Sequence, residues 1–386
     1  MHKKIFRLAQ RTVQQYLEIF PVVVILGPRQ CGKSTLVKMM SEGKPNFVHL
    51  DLQNISDLNK LTEPSLFFES NEDKVICLDE IQLAPELFAA LRSEVDRNRR
   101  NGRFILLGSA SRDLVQKTAE SLAGRAGFIE LTPFTNAEIC QAESFSPEKF
   151  WVRGGFPDSF LAQSDESSAI WRENFLRAYL EWDIPQLGFQ IPVMQLRRFL
   201  TMCAHSHAQT LNLSKLAESI NLTHPTIRRY VDLLEQTFIL RSLQPYEGNL
   251  KKRLVKSPKV YIRDSGILHS LLHIGSFNDL LGNPSMGASW EGFVIENIIA
   301  QRPGNRYYFY RTATGSEVDL VVECGNKIIA VECKASTAPQ LSKGSWQAFD
   351  DVQPDKVAII APVKDSYLIK ERVEVTNITL FVEQYL

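Results

Sequence analysis

The chain has no surplus of either charge: 44 Lys and Arg stand against 44 Asp and Glu, a formal net charge of zero. That rules out a globally basic nucleic-acid binder, so any surface for a polyanion has to come from local clustering. Long apolar runs are also missing. Pro21–Leu26 is among the longest, far short of the ~20 residues that a membrane-spanning helix needs. The basic start Met1-His2-Lys3-Lys4-Ile5 leads into a polar, amphipathic stretch, Arg7–Phe20, rather than into a signal-peptide core. No membrane partner is expected. The six cysteines form no CxxC pair and have no regular spacing, which reads as reduced thiols and a cytoplasmic location. No internal repeat or low-complexity linker interrupts the sequence. At 386 residues the chain exceeds what one hydrophobic core holds together, so two or three domains are expected.

Five apolar, β-branched runs mark the first third: Val22–Leu26, Phe47–Leu52, Val75–Leu78, Phe104–Leu107 and Phe128–Leu131. Helix-like segments such as Lys33–Met40 and Leu87–Arg97 lie between them. Strands alternating with helices imply an α/β domain with a parallel sheet covered on both faces. The pattern changes near Pro133. The expected layout is an ATPase-like domain over 1–135, a helical region over 136–207, a helix–turn–helix–hairpin module over 208–275 and a small α/β domain over 276–386. The last would hold a helix at Ser289–Ala300 and strands at Arg306–Tyr310, Val318–Glu323 and Lys327–Glu332.

The first run leads into Gly27-Pro28-Arg29-Gln30-Cys31-Gly32-Lys33-Ser34, followed by Thr35. This fits GxxxxGK[ST], a loop whose backbone N–H groups close around phosphates at the positive end of a helix. Lys33 is expected to reach the β- and γ-phosphates of ATP and Ser34 to hold Mg²⁺. Val75–Leu78 ends in Asp79-Glu80. There Asp79 is placed to bind Mg²⁺ through water, and Glu80 to orient the attacking water. One strand separates the two motifs in sequence, which points to the additional-strand class of P-loop ATPases. In such sheets the strand between them ends in a polar sensor of the γ-phosphate. Ser109 is the first choice for it and Ser111 the second. Arg125, just before the last run, is expected to reach a neighbouring subunit's γ-phosphate, which implies a homo-oligomer. The competing reading makes it a surface arginine paired with a carboxylate.

With GPRQCGKST (27–35), HLDLQN (49–54), CLDEIQ (77–82), LLGSAS (106–111), SLAGR (121–125), the GGFPD turn (154–158), SGI (265–267) and EVDLVVE…AVECKAS (317–336), the chain resembles prokaryotic AAA+ ATPases joined to a domain of unknown function, DUF4143. The resemblance covers nearly the whole chain. It implies a P-loop AAA+ parallel-sheet domain, then a helical and winged-helix region, then a small α/β nuclease-like domain.

In the middle, Pro225–Leu234 follows Thr223 as a plausible N-cap and sets Thr226, Arg228 and Arg229 at recognition-helix positions. Lys251, Lys252, Arg253, Lys256, Lys259 and Arg263 make a run of cations without an acid. It would suit a wing lying along DNA phosphates, or equally a basic rim that packs against protein. In the tail, Asp319 followed across a hairpin by Glu332-Cys333-Lys334 matches the metal pattern of PD-(D/E)XK nucleases. Glu332 and Lys334 fall on one strand face, and Glu291 could add an acid. Glu and Lys alternating on a solvated edge strand is the plain alternative. Two functions remain open: an ATP-dependent machine acting on DNA, or an ATP-driven switch that binds a protein partner and carries an inactive tail.

Overall fold

The computed structural model describes residues 5–109, 120–141, 146–248 and 254–386. The chain forms two compact units, Met1–Pro133 with Gln236–Phe238 and Phe134–Glu235 with Ile239–Leu386. Ser111 and the cations Lys251, Lys252 and Arg253 lie outside the described residues.

In the first unit, strands β1 (Val22–Gly27), β2 (Phe47–Asp51), β3 (Val75–Asp79), β4 (Phe104–Ser109) and β5 (Ala126–Glu130) form one sheet in the order β2-β3-β4-β1-β5. Every pairing is parallel. Successive side chains of a strand point to opposite faces. Val22, Val24 and Leu26 therefore join Ile76, Leu78, Phe104 and Leu106 in one core, while Val23 and Ile25 join Cys77, Ile105, Leu107 and Ile129 in another. Burial on both faces explains why these strands read as unbroken apolar runs. β4 lies between β1 and β3, as the additional-strand reading requires. The strand ends meet at one edge of the sheet: Gly27 is the register partner of Ser109, and Asp51 of Asp79. In open parallel sheets, ligands bind at this carboxyl edge.

The second unit opens with helices, including Pro147–Arg153, Asp165–Ala178 and Val193–His205. Its sheet has nine strands: β6 (Gln209–Thr210), β7 (Leu240–Pro245), β8 (Lys259–Ile262), β9 (Arg306–Arg311), β10 (Glu317–Cys324), β11 (Lys327–Cys333), β12 (Lys356–Ile360), β13 (Tyr367–Lys370) and β14 (Val373–Thr376). β7 pairs antiparallel with β8 and parallel with β9, so one sheet runs through the middle module and the tail. Helices Leu213–Ser219 and His224–Gln236 stand between β6 and β7. The Thr223 hydroxyl accepts from the Thr226 N–H at 3.4 Å, in the capping position expected of it.

The GGFPD turn and the Ser265-Gly266-Ile267 segment meet. Asp264 caps the helix Ser265–Leu271 by accepting from the Ile267 N–H at 2.9 Å, and its second oxygen accepts from the Gly155 N–H at 2.7 Å. Gly154 has φ +74°, and a Cβ there would come within 2.2 Å of Asp264 Oδ1. A Cβ at Gly266 would meet the Arg153 carbonyl oxygen at 2.1 Å. Arg172, 1% exposed, donates to the carbonyls of Val152 and Gly266 beneath the turn. These residues make a packing latch.

Candidate functional site

The glycine-rich loop leaves the end of β1 and enters the helix Lys33–Ser41 through Gly32, at φ +98°. Arg7, buried, donates to the Cys31 carbonyl at 2.9 Å and the Thr132 carbonyl at 2.6 Å, underpinning the loop. Lys33 Nζ donates to the carbonyls of Gly27 at 3.1 Å and Pro28 at 2.9 Å. Asp79, at the end of β3, has its Oδ2 3.5 Å from His49 Nε2. Burial alone would raise the Asp79 carboxyl. The neighbouring His49 and Ser34, with the Lys33 charge, outweigh it and hold the group below its ordinary value. Asp79 Oδ1 is buried without a partner. An ionised carboxylate with one open oxygen beside a serine hydroxyl fits the hard oxygen ligands that Mg²⁺ takes.

Glu80 follows in the left-handed region, φ +57°, a conformation that non-glycine residues adopt mainly at sites which over-determine it. Gln82 donates its side-chain amide to Glu80 Oε2 and to Ser109 Oγ, the latter at 3.1 Å. Glu80, Gln82 and Ser109 thus form one chain of contacts across the ends of β3 and β4. Gln82 Oε1 is buried and unpartnered. His49 and Gln82 stand inside strings that the resemblance already carries, but only the strand register and the turn after β3 give them these neighbours.

Arg125 lies elsewhere. Its backbone carbonyl accepts from the Val22 N–H, at the opening of β1. The loop begins at the other end of that strand, roughly 17 Å away at 3.3 Å per residue. Arg125 Nε donates to Asp96 Oδ1 at 2.6 Å. The arginine–carboxylate pair of the plainer reading is therefore present, and Arg125 is remote from the nucleotide loop of its own chain.

Three profiles of known families match the chain. The one described as "AAA domain" covers residues 20–140, "Domain of unknown function (DUF8612)" covers 145–278, and "Domain of unknown function (DUF4143)" covers 286–381. An uncharacterised protein of Mycobacterium tuberculosis is 40% identical over 367 residues, covering 95% of this chain and 82% of that protein. The chain belongs to the family of AAA-domain ATPases with a C-terminal DUF4143 domain. A further uncharacterised protein, from Haemophilus influenzae, is 24% identical over 279 residues, 64% of this chain and 68% of its own length. Among solved structures, a Walker-type ATPase of Pyrococcus abyssi aligns with TM-score 0.47 at 15% identity, over 70% of this chain and 96% of its own. The RuvB Holliday junction branch migration motor of Thermotoga maritima aligns with TM-score 0.30 at 18% identity, over 62% and 90%. The AAA-type P-loop fold supports ATP binding by this family member. Among the described residues no helix is long and apolar enough to cross a membrane.

The tail of this family member departs from the metal-site expectation. Lys259, read from sequence as part of a phosphate-binding wing or equally of a basic rim that packs against protein, is 1% exposed. Its Nζ lies 2.8 Å from Glu291 Oε1, 2.5 Å from Glu317 Oε1 and 3.7 Å from Asp319 Oδ1. Arg263, from the same run, is paired with Glu296 at 3.0 Å. The wing reading is corrected at both positions, because these cations neutralise internal acids. Of the proposed metal ligands, Glu291 and Asp319 face Lys259, while Glu332 accepts from Lys334 at 2.8 Å and from Ser345 Oγ at 2.9 Å. Burial and the Asp319 charge push Glu332 up to about 7, against the pull of Lys334. Burial and Asp319 likewise push Glu291 up to about 8, with Lys259 opposing. Among the described residues no three His, Cys, Asp or Glu side chains gather as a metal site requires. Glu291 and Asp319 are thus engaged by Lys259, whereas Glu332 Oε2 is buried without a partner. Glu317 and Tyr261, whose hydroxyl donates to Glu291 at 2.6 Å, were missed by the sequence reading, which named Lys259 only within its cation run.

Proposed function

We propose that this protein binds ATP with Mg²⁺ and hydrolyses it slowly at the carboxyl edge of the first sheet. The observation that carries this reading is the Asp79 carboxylate, whose Oδ1 is buried without a partner, beside a glycine-rich loop and within one strand of Glu80 and Ser109. The loop from Gly27 to Thr35 offers N–H groups to the phosphates. Lys33 gives up its loop carbonyls to reach the β- and γ-phosphates, and Ser34 with Asp79 holds the metal, which supplies charge neutralisation to the phosphate oxygens. Glu80 orients the attacking water, and Ser109 senses the γ-phosphate. Gln82, bonded to both, keeps the two in step. Arg125 acts in trans, leaving Asp96 for the nucleotide of a neighbouring copy, because its own loop is out of reach.

The test pairs two variants. Lys33→Ala is expected to lose ATP binding, and Glu80→Gln to keep binding while turnover falls by about 10²–10⁴. Native turnover in Glu80→Gln would remove Glu80 from the role of base.

The lysine-filled tail favours the switch reading over a machine that cuts DNA. Among the described residues, support for DNA contact rests on the exposed Arg228, Arg229 and Lys256, and Arg228 is itself paired with Asp232 at 3.1 Å. DNA affinity that falls steeply with rising salt would restore the DNA reading. Absence of binding at low salt would leave the switch, with a protein partner.

A further inference from the structure

Lys259 enters the acid cluster of the second unit from β8. Glu317 and Asp319 come from β10, and Glu291 from the helix Met286–Gln301. A lysine ammonium has three donors and no acceptor, and here it faces three carboxylates. The acids are anchored from behind as well. Tyr261 donates to Glu291 at 2.6 Å, Arg311 lies 3.4 Å from Glu317 Oε2, and the Cys333 N–H donates to Asp319 Oδ2 at 2.8 Å. The Phe309 ring stands 5.8 Å from Nζ. Three acids push the Lys259 ammonium well above the ordinary lysine range despite burial. Such a lysine is a fixed internal charge.

We propose that Lys259 is the resident cation of this cluster. It fills the space among Glu291, Glu317 and Asp319, so the tail takes up neither Mg²⁺ nor Mn²⁺ at Glu291 and Asp319. This inference is independent of the ATPase reading. A divalent ion needs carboxylate oxygens at about 2.0–2.6 Å, and those oxygens already converge on Nζ. To enter, the ion would have to drive an ammonium out of its ion pairs into an apolar interior, where an unpaired charge is strongly disfavoured.

The test uses the full chain without nucleotide and counts bound Mn²⁺ by electron paramagnetic resonance, in the native protein and in Asp319→Asn. Equal numbers of ions with equal affinity are expected, because the native tail has no metal to lose. Lys259→Ala, which removes the charge and opens its space, is expected to melt lower than native. It should regain on the order of 3–6 °C in Mn²⁺ at about ten times the dissociation constant, and Lys259→Ala/Asp319→Asn should lack that gain. Mn²⁺ bound by the native protein and lost in Asp319→Asn would overturn the proposal. So would metal-dependent DNA cleavage lost in the same variant, or a Lys259→Ala protein as stable as native and indifferent to Mn²⁺. Should Lys259→Ala fail to fold, native against Asp319→Asn decides alone.

Discussion

Each unit places a lysine near buried acids, and the two arrangements behave in opposite ways. In the first, Lys33 rests on two backbone carbonyls, and Asp79 keeps one carboxylate oxygen without a partner. Neither group has its strongest possible partner, so both are available to a charged ligand. In the second, Lys259 is within ion-pair distance of three carboxylates and almost fully buried. Nothing there is left for a ligand to satisfy. Residue type does not separate the sites. The difference lies in whether the electrostatic demands of the side chains are met inside the chain, and a site competent for chemistry is one where they are not.

If the first site is open in this sense, its completion from outside should show the largest effect. Arginine fingers typically contribute on the order of 10³–10⁵ in rate. Arg125→Ala is accordingly expected to lose about that factor. Mixing it with Lys33→Ala subunits should restore measurable turnover, since each supplies what the other lacks. A strictly monomeric protein with full ATPase activity would break this half of the comparison.

Replacing each lysine by methionine sharpens the contrast. Lys259→Met leaves three partly buried acids around a neutral chain and is expected to lower unfolding free energy by up to ~3–5 kcal/mol, the usual upper range for breaking a buried ion pair from one side. Lys33→Met removes two hydrogen bonds to carbonyls and should lower it by about 1–2 kcal/mol while eliminating nucleotide binding. Urea titration of both variants reads the difference, and equal losses would show that the two lysines are not distinct in kind.

A further effect concerns pH. Burial holds His269 neutral in the second unit, lowered to about 4 from an ordinary 6.5, between the Val152 carbonyl and Ser289 Oγ. The folded value is depressed, so the unfolded chain takes up a proton first. The stability contributed is complete above pH 6.5 and is lost as pH falls toward 4. Between pH 7 and 5 that loss is about 2 kcal/mol. His269→Gln should lose about that much less than native over the same interval. Identical slopes in chemical denaturation would mean that His269 takes up its proton in the folded state.

What the sequence disclosed and what it hid follow the same division. The strands of the first sheet were legible because Val22–Gly27 and its neighbours are buried on both faces, and the loop was legible because its residues act as neighbours in sequence. Ser109 could be placed from strand order alone. His49 could not be assigned a role, because its closeness to Asp79 comes from the pairing of β2 with β3. The place of Lys259 stayed undecided for a related reason. Within its own segment it belongs to a run of cations, and the nearest of its acid partners, Glu291, is 32 residues away. Local charge pattern describes a solvated segment well and fails where a strand carries its charge into a core.

The latch between the Gly154-Gly155 turn and Asp264 also sets a timetable for synthesis. The Gly155 N–H and its carboxylate partner are 109 residues apart. At a translation rate of about 5–20 residues per second, a ribosome needs roughly 5–20 s to supply the second half after the first. Throughout that interval the turn lacks its carboxylate and Arg172 lacks the Gly266 carbonyl, while the helices between them are already made.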